Sequence, residues 1–142
     1  MNKLFTPNSV ALIGATEREG SVGRTILENL MKFPDRKLYP VNPNRKDVLG
    51  LECFPSVSDI PVPVDLAVIV TPARTVPAVV EECGKAGIEG VIIISAGFRE
   101  AGEAGRGLED EIRRIKYKYG MRIVGPNCLG VIRPHINLNA SF

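Results

Sequence analysis

The chain has 142 residues, 44% of them hydrophobic and 24% charged, which fits a single globular domain with its own core. The formal net charge of +2, with dispersed lysine and arginine, is too small to indicate a nucleic-acid-binding surface, and no apolar stretch reaches the length of a membrane span. Three widely spaced cysteines and one histidine fit neither a disulfide framework nor a metal site. The N-terminus lacks a signal peptide's apolar region, so we expect a cytoplasmic protein without nucleic-acid or membrane partners.

Five short apolar runs are predicted to form the strands of a parallel sheet. They are rich in valine and isoleucine and nearly continuous, which is typical of strands covered on both faces. The irregular segment 48–60 has room for a short extra strand around residues 52–54. The five runs are residues 10–13, 38–41, 66–70, 91–95 and 122–124.

Segments of helical periodicity alternate with these strands. Ser21 and Thr75 are expected to act as N-caps, Pro34 to stop the first helix, and Gly87 and Gly120 to end the other two. Alternating strands and helices with short links predict a doubly wound α/β domain, mainly parallel and of five or six strands. The predicted helices cover residues 21–33, 76–86 and 104–119.

The loop after the first strand has the composition of a phosphate-binding turn. Gly14 ends the strand, and Gly20 and Gly23 lead into the helix, so bare backbone N–H groups and the helix dipole converge there. The loop departs from the dinucleotide fingerprint because Gly14 precedes Gly20 by six residues, and it lacks the lysine of a P-loop. The alternative is a glycine turn that only lets the helix pack on the strand.

The second strand ends in a positively charged segment. A Rossmann domain that binds a free ribose carries a carboxylate at this place. This chain has Asn42, Pro43, Asn44, Arg45 and Lys46 instead. A cation there favours a phosphorylated ribose.

Ligands of doubly wound sheets bind outside the carboxyl ends of the strands, which selects five loops. Thr71 offers a hydroxyl for a phosphate or carbonyl, although a plain turn is an equal alternative. Small residues around Ala96 let a ligand approach the backbone, and the glycine-rich stretch that follows could move on binding. The loops are residues 14–23, 42–46, 71–74, 96–102 and 125–130.

Five segments carry a resemblance to a known family: G-A-T…G-S-V-G (14–23), V-N-P-N-R (41–45), V-D-L-A-V-I-V-T-P-A (64–73), S-A-G-F-R-E (95–100) and G-P-N-C-L-G (125–130). In this order and spacing they resemble the N-terminal CoA-binding domain of nucleoside-diphosphate-forming acyl-CoA synthetases. That family includes the succinyl-CoA synthetase α subunit and, more closely, the ADP-forming acetyl-CoA synthetases. The resemblance implies a Rossmann-like fold that holds coenzyme A, with residues 1–142 as one domain at the start of a longer subunit.

The resemblance also implies roles for individual residues. Arg45 stands where the succinyl-CoA synthetase pattern has a lysine, and its charge suits the 3′-phosphate of coenzyme A. Ala96 replaces a glutamate of that pattern. Asn127 and Cys128 resemble the turn near the thiol end of the ligand. The candidate contacts are Gly14, Thr16, Glu17, Arg18, Gly20, Gly23, Asn42, Arg45, Thr71, Pro72, Ile94, Ser95, Ala96, Asn127 and Cys128.

No catalytic residue is expected in this chain. The family passes a phosphoryl group through a histidine of the following domain, with a nucleotide site on a partner of the ATP-grasp type. His135 lies in a loop beyond the G-P-N-C-L-G turn, where we expect it at the surface. The chain should therefore bind coenzyme A without forming acyl-CoA or a phosphoenzyme. The alternatives are an NADP- or NAD-binding domain, a redox-responsive regulator of the same fold, and a scaffold that has lost its ligand.

Overall fold

The computed structural model of the protein describes residues 4–142, and a five-stranded parallel sheet forms its centre. The strands are β1 (Ser9–Ile13), β2 (Lys37–Val41), β3 (Asp47–Val48), β4 (Leu51–Glu52), β5 (Leu66–Ile69), β6 (Gly90–Ile93), β7 (Arg122–Val124), β8 (Gly130–Arg133) and β9 (Leu138–Ser141). The order in the central sheet is β2-β1-β5-β6-β7, and every neighbouring pair runs parallel. Two small antiparallel hairpins, β3–β4 and β8–β9, form separate two-stranded sheets.

The helices are α1 (Val22–Met31), α2 (Val76–Lys85) and α3 (Glu103–Tyr119), and they cover the two faces of the sheet. Successive strand residues point to opposite faces, so Val10 and Leu12 pack with α1 and the β8–β9 hairpin, whereas Ala11 and Ile13 pack with α2 and α3. All residues of β1, β5 and β6 are buried. Burial on both faces explains the continuous apolar runs, and the predicted doubly wound, Rossmann-like α/β fold is confirmed.

The helix ends follow the expected signals with one exception. Ser21 Oγ accepts a hydrogen bond of 3.2 Å from the backbone N–H of Arg24, as predicted for an N-cap. Gly120 ends α3 in the left-handed conformation. Thr75 occupies the N-cap position of α2, but its hydroxyl donates to Pro72 O at 2.6 Å and caps nothing. A 3-10 turn over Ala73–Thr75 precedes α2, which already holds Thr75 in a helical conformation.

The segment between β2 and β5 does not add a sixth strand to the central sheet. β3 and β4 pair with each other, and Phe54 joins the central sheet through an isolated parallel bridge to Val41. The expectation of a strand over residues 52–54 is therefore wrong in its bounds. The β8–β9 hairpin was not expected. It packs on α1, where Asn29 Nδ2 donates to Ser141 O at 2.9 Å.

Arg36 connects three chain segments at the edge of the sheet where the strands begin. Its Nε donates to Pro7 O at 2.9 Å, and its two terminal nitrogens donate to Asn137 O at 2.9 Å and Ile136 O at 3.0 Å. Burial lowers the pKa of this guanidinium. The three bonds tie the segment before β1 to the turn between β8 and β9.

Within residues 4–142, no helix has the length and apolar character needed to cross a membrane.

Candidate functional site

The carboxyl ends of the five parallel strands meet at one edge, so all five predicted loops lie there. The chain proceeds from β1 to β2 in one direction and from β5 to β7 in the other, which makes the gap between β1 and β5 the switch point of the sheet. Gly14 ends β1 so close to β5 that a Cβ there would lie 2.8 Å from Val70 Cγ2. Gly14 and Val70 therefore mark the switch point, and both line the crevice that is expected there.

Two cavities flank this point on opposite faces of the sheet. The first has a volume of about 610 Å³ and lies on the α2 face, where Gly14, Asn42, Thr71 and Pro72 belong to its lining. Its lining also includes residues outside the five predicted loops, among them Ser56, Val79 and Glu82.

The second cavity, of about 390 Å³, lies on the α1 face. No charged side chain of the described residues 4–142 lines it. Val70 lines both cavities, so they share one wall at the switch point. The lining of the second cavity consists of Val22, Val70, Ile94, Ser95, Ala96, Asn127, Cys128, Leu129 and Phe142.

Two further cavities among residues 4–142 are lined by residues outside the candidate set. One of about 590 Å³ lies beside Arg36 and Pro7, and one of about 380 Å³ lies around Pro61 and Lys85. The first of these is at the edge where the strands begin, opposite the carboxyl ends that hold ligands in this fold class.

The glycine loop packs α1 tightly onto the end of β1. A Cβ on Gly23 would lie 2.8 Å from Gly14 O and 3.1 Å from Thr16 Cγ2, so a side chain cannot enter without moving backbone. Gly20 faces open space and has a φ of +77°, so its role is conformational. Thr16 Oγ1 accepts from the N–H of Arg18 at 3.2 Å and shapes the turn.

The loop after β2 is attached to the glycine loop by Asn42 and Arg45. Asn42 Nδ2 donates to Ala15 O at 2.9 Å, and its Oδ1 accepts from the N–H of Asn44 at 2.9 Å. Arg45 forms an ion pair with Glu17, and both side chains are 35% exposed. Neither partner of this ion pair lines either cavity.

The remaining three loops are joined by hydrogen bonds. Ser95 Oγ donates to Thr71 O at 2.5 Å, and the N–H of Asn127 donates to Ser95 O at 3.0 Å. Cys128 Sγ lies 3.3 Å from Ile93 O, and burial raises the pKa of this thiol. The thiol is therefore protonated at neutral pH, which fits a structural cysteine.

The glycine-rich stretch after β6 is anchored at its start. Phe98 is fully buried, and the carboxylate of Glu100 accepts the N–H groups of Gly97 at 2.7 Å and Phe98 at 3.0 Å. This anchor was not predicted, although the aromatic side chain in S-A-G-F-R-E is a signal that could have indicated it.

The structure divides the fifteen candidates among three places. Four line the first cavity and five line the second, as named above. Val70 was missed because nothing in the sequence marks the last apolar residue of a strand as a shared wall. The other six lie on or beside the glycine loop outside both cavities: Thr16, Glu17, Arg18, Gly20, Gly23 and Arg45.

His135 is exposed, as predicted, and its Nε2 lies 3.0 Å from a terminal nitrogen of Arg133. Within residues 4–142, no group of three or more His, Cys, Asp or Glu side chains is placed to hold a metal ion.

Comparison with known proteins identifies the family. The model of a family described as the CoA binding domain matches residues 8–134. The chain belongs to this family. It is 51% identical over all 142 residues to acetate–CoA ligase [ADP-forming] I of Archaeoglobus fulgidus and covers 21% of that protein. It is 44% identical over its whole length to the α subunit of acetate–CoA ligase [ADP-forming] II of Pyrococcus furiosus and covers 31% of it.

A solved structure of similar sequence is a synthetase of the same kind. The dinucleotide-forming acetyl-coenzyme A synthetase 1 of Ca. Korarchaeum cryptofilum, in complex with phosphate and ADP, superposes with a TM-score of 0.91 at 41% identity. The match covers 98% of this chain and 30% of that chain. The chain thus spans between a fifth and a third of the larger proteins that it matches, at their N-terminal part. The predicted family and coenzyme A as ligand are confirmed, and coenzyme A is favoured over the nicotinamide alternatives.

Proposed function

We propose that this chain is the coenzyme A-binding module of an ADP-forming acyl-CoA synthetase that acts on acetate or a similar small acyl group. One observation carries the proposal: a glycine loop at the switch point lies beside two cavities that share Val70. Coenzyme A has an anionic nucleotide end and a long, neutral thiol arm. A ligand of this kind needs two differently lined cavities joined at one point.

The nucleotide end fits the glycine loop and the first cavity. The N–H groups between Gly14 and Gly23 and the start of α1 suit the diphosphate. Asn42, Thr71 and Pro72 line the space for the adenosine. Arg45 lies beside this space and would bind the 3′-phosphate in a charge-assisted pair.

The thiol arm fits the second cavity. It would cross Val70, pass Ile94 and Ala96, and bring the thiol toward Asn127 and Cys128. The lack of charged side chains among the described lining residues suits a neutral arm, because no charge loses its hydration when the arm enters.

The proposal extends to the protein as a whole. Residues 1–142 form one domain at the start of a longer subunit, and the phosphoryl relay and an ATP-grasp nucleotide site lie in other domains or subunits. The relatives are larger synthetases with further parts, which supports this division. A cytoplasmic location and the lack of nucleic-acid and membrane partners stay predictions.

Thermal unfolding with coenzyme A, NADP, NAD and ATP tests the proposal. A ligand at about 100 times its dissociation constant should stabilise the chain by about 2.7 kcal/mol. We expect this shift with coenzyme A. Stabilisation by NADP alone would contradict the proposal, and no shift with any nucleotide would indicate a scaffold.

A further inference from the structure

Arg45 is not free to swing in this structure. Its Nε donates to Asp47 O at 3.2 Å, and its NH2 donates to Glu17 Oε1. Its NH1 has no hydrogen-bond partner among residues 4–142. A guanidinium held along one side presents its other side as a fixed donor.

Glu17 is itself fixed from two directions. Its second carboxylate oxygen, Oε2, accepts the N–H of Leu49 at 2.6 Å, at the tip of the β3–β4 hairpin. Its backbone oxygen accepts from NH1 of Arg24 in α1 at 2.6 Å. One carboxylate thus connects the glycine loop, Arg45 and the hairpin.

This arrangement has two opposite effects on an anion that approaches Arg45. The negative charge of Glu17 repels the anion and cancels part of the attraction of the guanidinium. The ion pair also orders a side chain with many rotamers before the ligand arrives, which removes that entropy cost from binding. The bond from Leu49 favours the second effect, because it holds the carboxylate, and with it the guanidinium, in place while an anion approaches NH1.

We propose that Glu17 is a positioning residue that holds the guanidinium of Arg45 so that NH1 meets the ribose phosphate of coenzyme A. The proposal rests on the function proposed above and adds to it how phosphorylated and unphosphorylated riboses are distinguished. Glu17 itself makes no contact with the ligand. Its ordering effect outweighs its repulsion.

The test measures binding of coenzyme A and dephospho-coenzyme A by calorimetry to the 142-residue chain and its variants. Glu17→Gln should weaken the binding of coenzyme A about tenfold, the equivalent of 1.4 kcal/mol, and leave the affinity for dephospho-coenzyme A unchanged. In an Arg45→Ala background the same change should have no further effect, because the two residues act as one unit. Glu52→Gln, an equal charge change at an exposed position of β4, should alter neither affinity.

A second variant protects the test against misfolding. Glu17→Asp keeps the charge but is one methylene shorter, so it cannot reach both Arg45 and Leu49, and we expect the same selective loss. Circular dichroism establishes that each variant is folded.

Several outcomes would overturn the proposal. Tighter binding of coenzyme A to Glu17→Gln would mean that repulsion dominates. Equal loss for both ligands, or a loss that persists in the Arg45→Ala background, would mean that Glu17 contacts the ligand or only stabilises the fold. A wild-type chain that binds neither ligand would refute the proposed function itself, whereas a wild-type affinity that Glu17→Gln leaves unaltered would refute only the positioning role.

Discussion

The two cavities at the carboxyl edge differ in chemistry although they share a wall. The first, on the α2 face, combines apolar walls with polar groups such as Asn44, Ser56 and Glu82, and the Glu17–Arg45 pair lies beside it. The second, on the α1 face, has no charged side chain among the described residues of its lining. One sheet thus offers a site for a charged group and a site for a neutral group within a few residues of each other.

The difference follows from the loops that build each cavity. The loops after β1 and β2 carry Glu17 and Arg45, which form an ion pair with each other beside the first cavity. The loops after β6 and β7 use small residues and backbone bonds, such as the bond from Asn127 N–H to Ser95 O. If the two cavities bind the two ends of one ligand, a substitution in each cavity should weaken the binding of a different end of that ligand.

The largest effect is expected at Gly23, where a Cβ would lie 3.5 Å from Cγ2 of Val70, the residue that joins both cavities. Gly23→Val places carbon atoms where a Cβ alone would be 2.8 Å from Gly14 O, so the loop must move. We expect loss of coenzyme A binding of tenfold or more and a stability loss of about 1–3 kcal/mol from overpacking. Calorimetry on protein shown to be folded by circular dichroism measures both.

Gly107→Ala is the matched control for Gly23→Val, because Gly107 is helical and no atom lies within 4 Å of the position that a Cβ would take there. It should raise stability by about 1 kcal/mol and leave binding unchanged. Unchanged affinity in a folded Gly23→Val variant would reduce the glycine loop to a packing turn.

Arg45→Ala should affect only the phosphorylated end of the ligand. A charged hydrogen bond of this kind contributes about 1.5–3 kcal/mol, so coenzyme A and adenosine 3′,5′-bisphosphate should both bind more weakly. Dephospho-coenzyme A should bind as before. Calorimetry with the three ligands gives the comparison.

Lys37→Ala removes an equal charge at the start of β2, the opposite end of that strand, and should change none of the three affinities. Equal losses for coenzyme A and dephospho-coenzyme A in Arg45→Ala would mean that Arg45 does not contact the 3′-phosphate.

Ala96→Leu should produce the opposite pattern. The larger side chain enters the second cavity, so the two ligands with a thiol arm should lose about 1–2 kcal/mol of binding free energy. Adenosine 3′,5′-bisphosphate, which has no such arm, should be unaffected. Ala78→Leu, an exposed change on α2 outside both cavities, serves as the control. A weaker affinity for the bisphosphate would mean that the arm does not occupy this cavity.

The smallest effect is expected at Cys128. Burial raises the pKa of its thiol, so the reactive thiolate is scarce at neutral pH and alkylation by iodoacetamide should accelerate as the pH rises. Bound coenzyme A should slow that reaction, which mass spectrometry can follow at this residue. Cys83, whose pKa burial raises to about 12, provides an unreactive reference.

Cys128→Ser should change the affinity for coenzyme A by no more than about twofold, or 0.4 kcal/mol. Rapid alkylation of Cys128 at neutral pH, or a large loss of affinity in the serine variant, would assign the thiol an active role.

The sequence predicted the parts of the fold that depend on local pattern. The run 10–13 became Ser9–Ile13, because strands buried on both faces leave a continuous apolar signal. The β8–β9 hairpin left no such signal. The residues of β8 are mostly half-exposed, Pro134 and Asn137 interrupt the hairpin, and its position depends on packing against α1.

The site was predictable only as far as topology allows. The rule that ligands lie at the carboxyl ends of strands placed the five loops correctly at one edge. It did not indicate that Glu17 and Arg45, 28 residues apart, would pair, or that Val70 would separate two cavities. Such contacts arise from the relative placement of loops, which no periodicity encodes. The roles of the individual site residues stay predictions.

The bonds of Arg36 to Pro7, Ile136 and Asn137 have a consequence for local opening of the molecule. They connect chain segments at the edge where the strands begin. Backbone amides near that edge should therefore exchange their hydrogens slowly, because exchange there requires opening of the whole domain. The loops at the carboxyl edge are bonded mainly to the neighbouring loop, as Ser95 is to Thr71, and can open in smaller units. Slowed exchange on ligand binding should therefore be confined to one edge, and the protected amides would trace the path of the ligand across β1 and β5.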